Sequence, residues 1–380
     1  MSATTTNLNN KANGNSAPPV RKRNSLAKGK LPKWAIWAIA AGSIVLGAAA
    51  STLTGFNVAS FAIYSAIIFL IAASVITTVV EGKRRGKNAM WTYLIYAAFI
   101  VALIPLASVL YTVLQKGLPG INSHFLFSSM NGVTGAVDNQ TVANGEPVIG
   151  GAYHAVMGTL LITLWATLIS VPVGMLTAVY LVEYGQGKAL SKAITFFVDV
   201  MTGIPSIVAG LFAAALFGII LGPNARMGIV AAVALSVLMI PTVVRSTEEM
   251  LKIVPNELRE ASFALGVRRW RTILKVVIPT AISGIASGVT LAIARVIGET
   301  APILVTAGIA SNINLNVFAN WMSTLPTFIY YQILTPTSPT NVDPSVQRAW
   351  AAALLLILMV MALNLIARLV ASIFAPKKGR

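Results

Sequence analysis

The sequence has no cysteine and few charged residues, and each shortage excludes a class of protein. Without cysteine the chain forms no disulfide, binds no metal through thiolates and offers no cysteine nucleophile. Charged side chains are 10% of the residues, against roughly 25% in a soluble domain. The two histidines, His124 and His154, lack the spacing of a metal site. The composition therefore argues against a soluble enzyme and against a metalloprotein.

Apolar residues make up 56% of the chain and gather into long runs. A helix needs ~20 apolar residues to cross a hydrocarbon core. We predict an all-α membrane protein with eight spanning helices, at residues 33–53, 58–80, 91–114, 154–181, 196–221, 227–245, 276–308 and 347–374. The net charge of +17 does not indicate nucleic-acid binding, because lysine and arginine cluster beside the apolar runs.

Basic residues alternate between the segments that join these helices. They occur in the tail before the first span, after the second, fourth and sixth spans and at the C-terminus, while the other connecting segments have almost none. The positive-inside rule then places both termini in the cytoplasm. Residues 1–32 are expected to be a disordered cytoplasmic tail, because they have few large apolar side chains to bury. The two long outer segments, 115–153 and 309–346, are either connectors or a docking place for an external partner.

A charged stretch, residues 246–275, separates the sixth and seventh spans and is far longer than a turn requires. Pro255 suits the first position of a helix, where its missing N–H costs nothing. Glu257 and Glu260 near that start complement the helix dipole. We therefore predict a short helix within this stretch.

The predicted helix is amphipathic and is followed by a break. Three apolar residues line one face at spacings of three and four: Leu258, Ala261 and Leu265. Gly266 allows a break, residues 267–275 form a second, basic helical stretch, and Pro279 stands at the entrance to the seventh span. Such an elbow on the cytoplasmic surface either binds lipid headgroups or couples to another protein.

The elbow resembles the loop that characterises bacterial ABC importer permeases. Glu260-Ala261-Ser262, Gly266 and Val276 to Pro279 are similar to its Glu-Ala-Ala, Gly and Ile-x-Leu-Pro elements, with serine where the family commonly has alanine. The resemblance implies a coupling loop, residues 246–279, that sits in a cleft of a separate ATPase. Its residues would be Glu257, Glu260, Ala261, Ser262, Leu265, Gly266 and Pro279. The sequence has no G-x-x-x-x-G-K-[ST] phosphate loop, so ATP and magnesium are expected on the partner ATPase, with no cofactor in this chain.

The seventh predicted span contains Arg295 and Glu299, one helical turn apart. Charges inside a membrane are costly, so they usually face a cavity, a partner or a substrate path. A guanidinium offers a fork of donors that fits a tetrahedral oxyanion, which makes Arg295 the expected anion contact. The alternative is a mutual ion pair, and Glu299 either holds Arg295 or repels a bound dianion. Asp199 is interpreted as structural or interfacial, and Arg245 as an inner-edge anchor.

The segment Ala294 to Pro302, together with Ile204 to Phe212 and residues 158–184, resembles the phosphate permeases named PstA. The resemblance covers residues 150–375 and implies a type I permease core of six helices at 91–375. Residues 33–90, with two extra N-terminal helices and a basic cytoplasmic loop, have no counterpart in that core. The resemblance also implies a substrate path that includes Arg295, Glu299 and Thr300.

The same resemblance implies a set of partners in the bacterial plasma membrane. They are a sister permease PstC in a heterodimer, two copies of the ATPase PstB, and the extracytoplasmic phosphate-binding protein PstS. The predicted function is therefore the permease subunit of an ATP-driven phosphate importer, a transport subunit and not an enzyme.

Other functions remain as alternatives at this point. A permease for molybdate, sulfate or phosphonate would share the elbow but is not expected to carry Gly298 to Pro302. A proton-coupled secondary transporter would use Arg295 and Glu299 as a relay, and the elbow argues against it. An intramembrane enzyme is disfavoured because the sequence has neither His-Glu-x-x-His nor G-x-S-x-G.

Overall fold

The computed structural model describes residues 29–53 and 55–374, and every regular element in those ranges is helical. The all-α prediction is confirmed, while most of the predicted tail, residues 1–32, lies outside the described residues. Within them, seven helices are long and apolar enough to span a membrane, or eight if one bent pair counts as a span. The prediction of eight spans agrees with the second count. The chain divides into two compact units, Met1–Ser108 and Val109–Arg380.

The first unit contains α1 (Lys33–Leu53), α2 (Val58–Glu81) and the start of α3 (Lys83–Gly117). Helices α1 and α2 pack so closely that a Cβ atom on Gly47 would lie 2.1 Å from Oγ of Ser65. Small residues permit such an approach between helices in lipid. The basic loop expected before the third span is instead the first turn of α3, because the chain turns at Gly82, whose φ is 97°.

The second unit contains five segments of spanning length and several short helices. The long segments are α6 (Tyr153–Val179), the bent pair α7 (Ala189–Thr202) and α8 (Ser206–Leu221), α9 (Gly228–Ile253), α12 (Ile278–Ile297) and α15 (Asp343–Phe374). The short helices are α4 (Ser123–Phe127), α5 (Gly135–Asn144), α10 (Asn256–Ala264), α11 (Arg269–Thr272), α13 (Ala301–Thr306) and α14 (Leu325–Leu334).

Helix α9 lies at the centre of the second unit and is the most buried spanning-length helix among the described residues. It packs against α6, and also against α8, α12 and α13. Ile162 of α6 shares a buried cluster with Leu235 and Met239 of α9. Further along, a Cβ atom on Gly174 would lie 2.7 Å from Cγ1 of Val243. Helices α6 and α9 are therefore in close contact along much of their length, and α8, α12 and α13 pack around them.

Two predicted spans are not continuous helices. The span expected at 196–221 consists of α7 and α8, which meet at 108°. Pro205, between them, has no N–H to continue the helical bonding and disfavours a helical conformation in the residue before it. The prediction of one continuous helix at 276–308 is also wrong, because three residues separate α12 from α13. Apolar composition locates such segments, but it does not report a break in the backbone.

The two segments expected to be outer loops are folded together, and we call them the cap: residues 118–152 and 309–346. Arg348 of α15 and Asp138 of α5 form a two-pronged ion pair there, with N–O distances of 2.9 and 2.6 Å. Both side chains are fully buried. The remaining donors of Arg348 reach the carbonyl oxygen of Ile149 at 2.8 Å, the hydroxyl of Thr337 at 2.7 Å and the amide oxygen of Gln332 at 3.2 Å. These segments are thus more than connectors, while docking of an external partner stays a prediction.

Replacing Asp138 by asparagine is expected to lower the melting temperature of the protein in detergent. The substitution leaves the charge of Arg348 buried without its counter-ion, which costs about 3–5 kcal/mol in other proteins. Thermal unfolding followed by tryptophan fluorescence measures the effect. Glu146→Gln is the matched control, because Glu146 is an exposed carboxylate of the cap that bonds to Asn144 at 3.3 Å. Equal melting temperatures for the two variants would contradict this role for the pair.

Candidate functional site

The stretch between α9 and α12, residues 254–277, forms an elbow whose first helix is α10. The helix begins at Asn256, so Pro255 precedes it instead of being its first residue as predicted. Pro255 is extended, with ψ of 141°. Glu257 lies in the first turn, where a carboxylate interacts favourably with the helix dipole. The predicted helix is present, displaced by one residue.

The predicted break at Gly266 is confirmed by its backbone geometry. Gly266 has φ of 75°, in the left-handed region that glycine adopts most easily. Its N–H donates to the carbonyl of Phe263 at 2.9 Å, and the N–H of Val267 donates to that of Ser262 at 3.2 Å. This pair of bonds satisfies two carbonyls at the end of α10 and turns the chain sharply.

The second half of the elbow is not one helix over 267–275 as expected. It consists of the single turn α11, a π-helical turn at Ile273–Val277, and then α12 with Pro279 in its first turn. The hydroxyl oxygens of Ser262 and Thr272 lie 2.8 Å apart and both residues are buried. Ser262 therefore ties α10 to α11, a role that alanine at this position does not have.

The apolar face predicted on α10 is exposed in the isolated chain. Leu258, Ala261 and Leu265 are all exposed, and Leu265 reaches 83%. Glu260 on the same helix is exposed as well. A contiguous row of exposed apolar side chains beside charged ones is typical of a surface that another molecule covers.

The residue that attaches α10 to the rest of the unit, Arg259, was not among the predicted site residues. Arg259 donates from Nε and Nη2 to Oε1 of Glu183, at 3.1 and 3.0 Å. Glu183 lies in a π-helical turn, Tyr180–Tyr184, that ends α6. The signal available in the sequence was a glutamate at the end of an apolar run, together with an arginine directly before Glu260.

The expected substrate-path residues lie where the seventh span breaks. Arg295 is in the last turn of α12 and is exposed, Glu299 and Thr300 belong to the non-helical link, and Gly298 caps the helix. Within the described residues no ion pair joins Arg295 to Glu299, so the alternative of a mutual pair is not what the structure has. At ~1.5 Å per residue, Arg295 lies roughly 24 Å along α12 from Pro279.

Two sequence segments that carried the resemblance are in direct contact. Helix α13 packs against α8. A Cβ atom on Gly210 would lie 2.6 Å from Cα of Pro302 and 2.9 Å from Cγ2 of Val305. Glycine is therefore required at 210 by the close approach of the two backbones. This contact fixes α13, and with it the link that contains Glu299 and Thr300.

Asp199 and Arg245 belong to one chain of charges that joins α7 to α9. Arg245 pairs with Asp199 and, at 2.8 Å, with Glu248, while Lys252 bonds to Glu248 at 2.7 Å. The structural interpretation of Asp199 agrees with this network. Arg245 is more than an edge anchor, because it bridges two helices.

Comparison with known proteins places the chain among transport components. The family model for the binding-protein-dependent transport system inner membrane component matches residues 170–380. Phosphate transport system permease protein PstA 1 of Mycobacterium tuberculosis (strain ATCC 25618 / H37Rv) is 45% identical over 289 residues, which are 76% of this chain and 88% of the relative. Phosphate transport system permease protein PstA of Yersinia pestis is 35% identical over 299 residues, covering 78% of this chain and 93% of the relative.

Solved structures give a weaker likeness. The MetNI methionine ABC transporter in an inward-facing conformation matches with a TM-score of 0.45 and 19% sequence identity, over 59% of this chain and 94% of that one.

Replacing Gly210 by alanine is expected to lower the melting temperature in detergent, because the new Cβ atom collides with the backbone of Pro302. Overpacking of this kind costs about 1–3 kcal/mol. Gly218→Ala is the matched control on the same helix, since its Cβ atom would meet nothing within 4 Å. Alanine is the better helix former, so the control should be as stable as the unmodified protein or more so. A Gly210→Ala protein with the same melting temperature as the control would contradict the close contact between Gly210 and Pro302.

Proposed function

The chain belongs to the family of binding-protein-dependent transport system inner membrane components, and from this premise we propose that it is the membrane-spanning permease subunit of an ATP-driven phosphate importer. The observation that carries the proposal is the exposed elbow helix α10 in a chain whose relatives are named phosphate permeases. A family member with seven or eight apolar helices of spanning length is a multi-pass protein of the cytoplasmic membrane.

The elbow is proposed to be the place where a separate ATPase binds. Its exposed apolar face consists of Leu258, Ala261 and Leu265. A short helix with such a face can bind in a hydrophobic groove of another protein. Glu257 and Glu260 lie beside this face, and their charges would fix the orientation in which the ATPase binds. ATP and magnesium would be bound by that ATPase, so the chemistry of hydrolysis lies outside this chain.

Arg295 is proposed to contact the transported anion. Its side chain is exposed at the end of a membrane-spanning helix, and no carboxylate of the described residues neutralises it. Removing a guanidinium from water into a membrane has a large desolvation cost, which an oxyanion offsets through paired charge-assisted hydrogen bonds. Glu299 and Thr300 in the adjoining link would line the same path, with the carboxylate limiting how tightly a dianion is held.

The full transporter is proposed to contain a sister permease of the PstC type, two PstB-type ATPases and a PstS-type binding protein outside the membrane. Both termini and the elbow would face the cytoplasm, as the positive-inside rule predicts. The named relatives favour phosphate over molybdate, sulfate or phosphonate, which remain the alternative cargo. A secondary transporter would not need an exposed elbow.

Uptake of radiolabelled phosphate into proteoliposomes that hold the assembled transporter tests this function. Arg295→Gln is expected to reduce ATP-dependent uptake by about a hundredfold or more, because losing a desolvated charge contact costs roughly 2–5 kcal/mol. Arg368→Gln is the matched control, an exposed arginine in α15, and should retain uptake. If sulfate or molybdate competed with phosphate for uptake, the proposed specificity for phosphate would be wrong. Uptake without ATP would contradict an ATP-driven importer.

The elbow contact is tested by Leu265→Asp, which places a charge on its most exposed apolar residue. Binding of the ATPase to the detergent-solubilised permease is expected to weaken by about thirtyfold, the effect of a hot-spot residue worth roughly 2 kcal/mol. Leu190→Asp, at an exposed leucine of α7, is the control and should bind the ATPase normally. Unchanged binding of the Leu265→Asp protein would exclude this face as the ATPase site.

A further inference from the structure

A largely buried ion pair joins the elbow to the end of α6. The side chains of Arg259 and Glu183 are 13% and 5% exposed, and two nitrogens of the guanidinium bond to the same carboxylate oxygen. These residues are 76 positions apart in the sequence. The pair is therefore a tertiary contact between two elements that the chain itself connects only through α7, α8 and α9.

The same guanidinium also holds the end of α9. It donates to the carbonyl oxygens of Leu251 at 2.9 Å and Val254 at 2.6 Å, and to Oδ1 of Asn256 at 3.2 Å. Carbonyls in the last turn of a helix have no partner within the helix, so Arg259 supplies what α9 lacks. The side chain of Arg259 thus bonds to the end of α6, the end of α9 and the start of α10.

The end of α6 has an unusual conformation where it meets the elbow. Tyr180–Tyr184 is a π-helical turn, closed by a bond from the N–H of Gly185 to the carbonyl of Tyr180 at 2.7 Å. Such turns are rare and occur frequently at functional positions. A second contact joins the same turn to the elbow, because the guanidinium of Arg269 lies 5.0 Å from the ring centre of Tyr184.

Apolar packing makes part of this connection, because Val182 at the end of α6 shares a buried cluster with Val254 and Val277 of the elbow. Beside α10 itself the packing is open. A cavity of about 400 Å³ lies between the elbow and the end of α6, and Glu183 and Arg259 are part of its lining together with Gln186, Lys252 and Phe263. Where side chains are packed solidly, movement passes between helices through many contacts. Beside α10, where this cavity lies, the ion pair of Arg259 with Glu183 is the direct bond between that helix and the end of α6.

Helix α6 leads from this pair to the cap. Near the start of α6, the hydroxyl of Thr159 accepts a bond from the N–H of Leu325 at 2.8 Å, and a Cβ atom on Gly158 would lie 2.0 Å from the carbonyl oxygen of Ser323. The 24 residues from Thr159 to Glu183 extend roughly 36 Å at ~1.5 Å per residue. The helix therefore touches the elbow at one end and the cap at the other.

We propose that Glu183 and Arg259 are positioning residues that make the elbow and α6 move as one body, so that a displacement of the elbow reaches the cap. The proposal rests on the elbow being the ATPase site. Stability alone is a weak reason for such a pair, because apolar residues of similar volume often serve equally well in its place. A defined geometry between two elements is what a forked, charge-assisted contact provides.

The first test compares Glu183→Gln with Gln186→Ala in the assembled transporter, by measuring phosphate taken up per ATP hydrolysed. Glu183→Gln is expected to keep ATPase binding and hydrolysis while the phosphate-to-ATP ratio falls about tenfold, the effect of losing a charged hydrogen bond. Gln186→Ala alters a neighbouring side chain of the same cavity and should leave the ratio unchanged. Glu183→Asp, which restores the carboxylate, should recover most of the ratio. A normal ratio in Glu183→Gln would overturn the proposal.

The second test does not depend on the transported anion. Because the chain has no cysteine, spin labels can be attached to Leu176→Cys on α6 and Ala264→Cys on α10 in the full complex. The distance between the labels is expected to stay constant when ATP binds, and to become broad and ATP-dependent when Glu183→Gln is added. A label distance that changes with ATP in the otherwise unmodified protein would overturn the proposal. Failure of that protein to take up phosphate would instead contradict the proposed function.

Discussion

The structure depends on one constraint, that polar groups inside a hydrocarbon layer find their partners within the protein. Backbone breaks are costly there, yet the second unit has two, between α7 and α8 and between α12 and α13. The elements that flank these breaks are packed against each other at Gly210 and Pro302. Helix α9 lies beside them and is buried by α6, α8, α12 and α13. The helices that follow the two breaks are therefore packed together, while Gly203 and Pro205 at the first break and Gly298 at the second are exposed in the isolated chain.

The charges of the second unit divide into paired and unpaired groups. The pair of Arg348 with Asp138 is buried and that of Arg259 with Glu183 is largely buried. The remaining donors of both arginines are also used. Such groups hold the cap and the elbow in defined positions. Arg295 differs, because its guanidinium is exposed at a helix break. This exposure is the basis on which Arg295 is proposed as the anion contact.

Much of the fold and part of the site could be predicted from the sequence. Long apolar runs located all the spanning segments, and Pro255, Glu257 and Gly266 located the elbow helix to within a residue, because these signals act over a few neighbouring positions. The predictions failed where the backbone departs from a regular helix, at 203–205, at 298–300 and in the π-helical turns. Hydrophobicity averages over such short departures, so it treated two interrupted spans as continuous.

The sequence by itself determined the class of protein, the apolar segments long enough to span a membrane, the elbow and the family resemblance, since composition, periodicity and motif spacing are properties of neighbouring residues. Tertiary structure alone decided the pairing of Arg348 with Asp138, 210 positions away, and of Arg259 with Glu183. It also decided that the expected outer loops form a folded cap. The physical reason is that burial selects a charge's partner by position in space, and no local pattern records which distant carboxylate will be there.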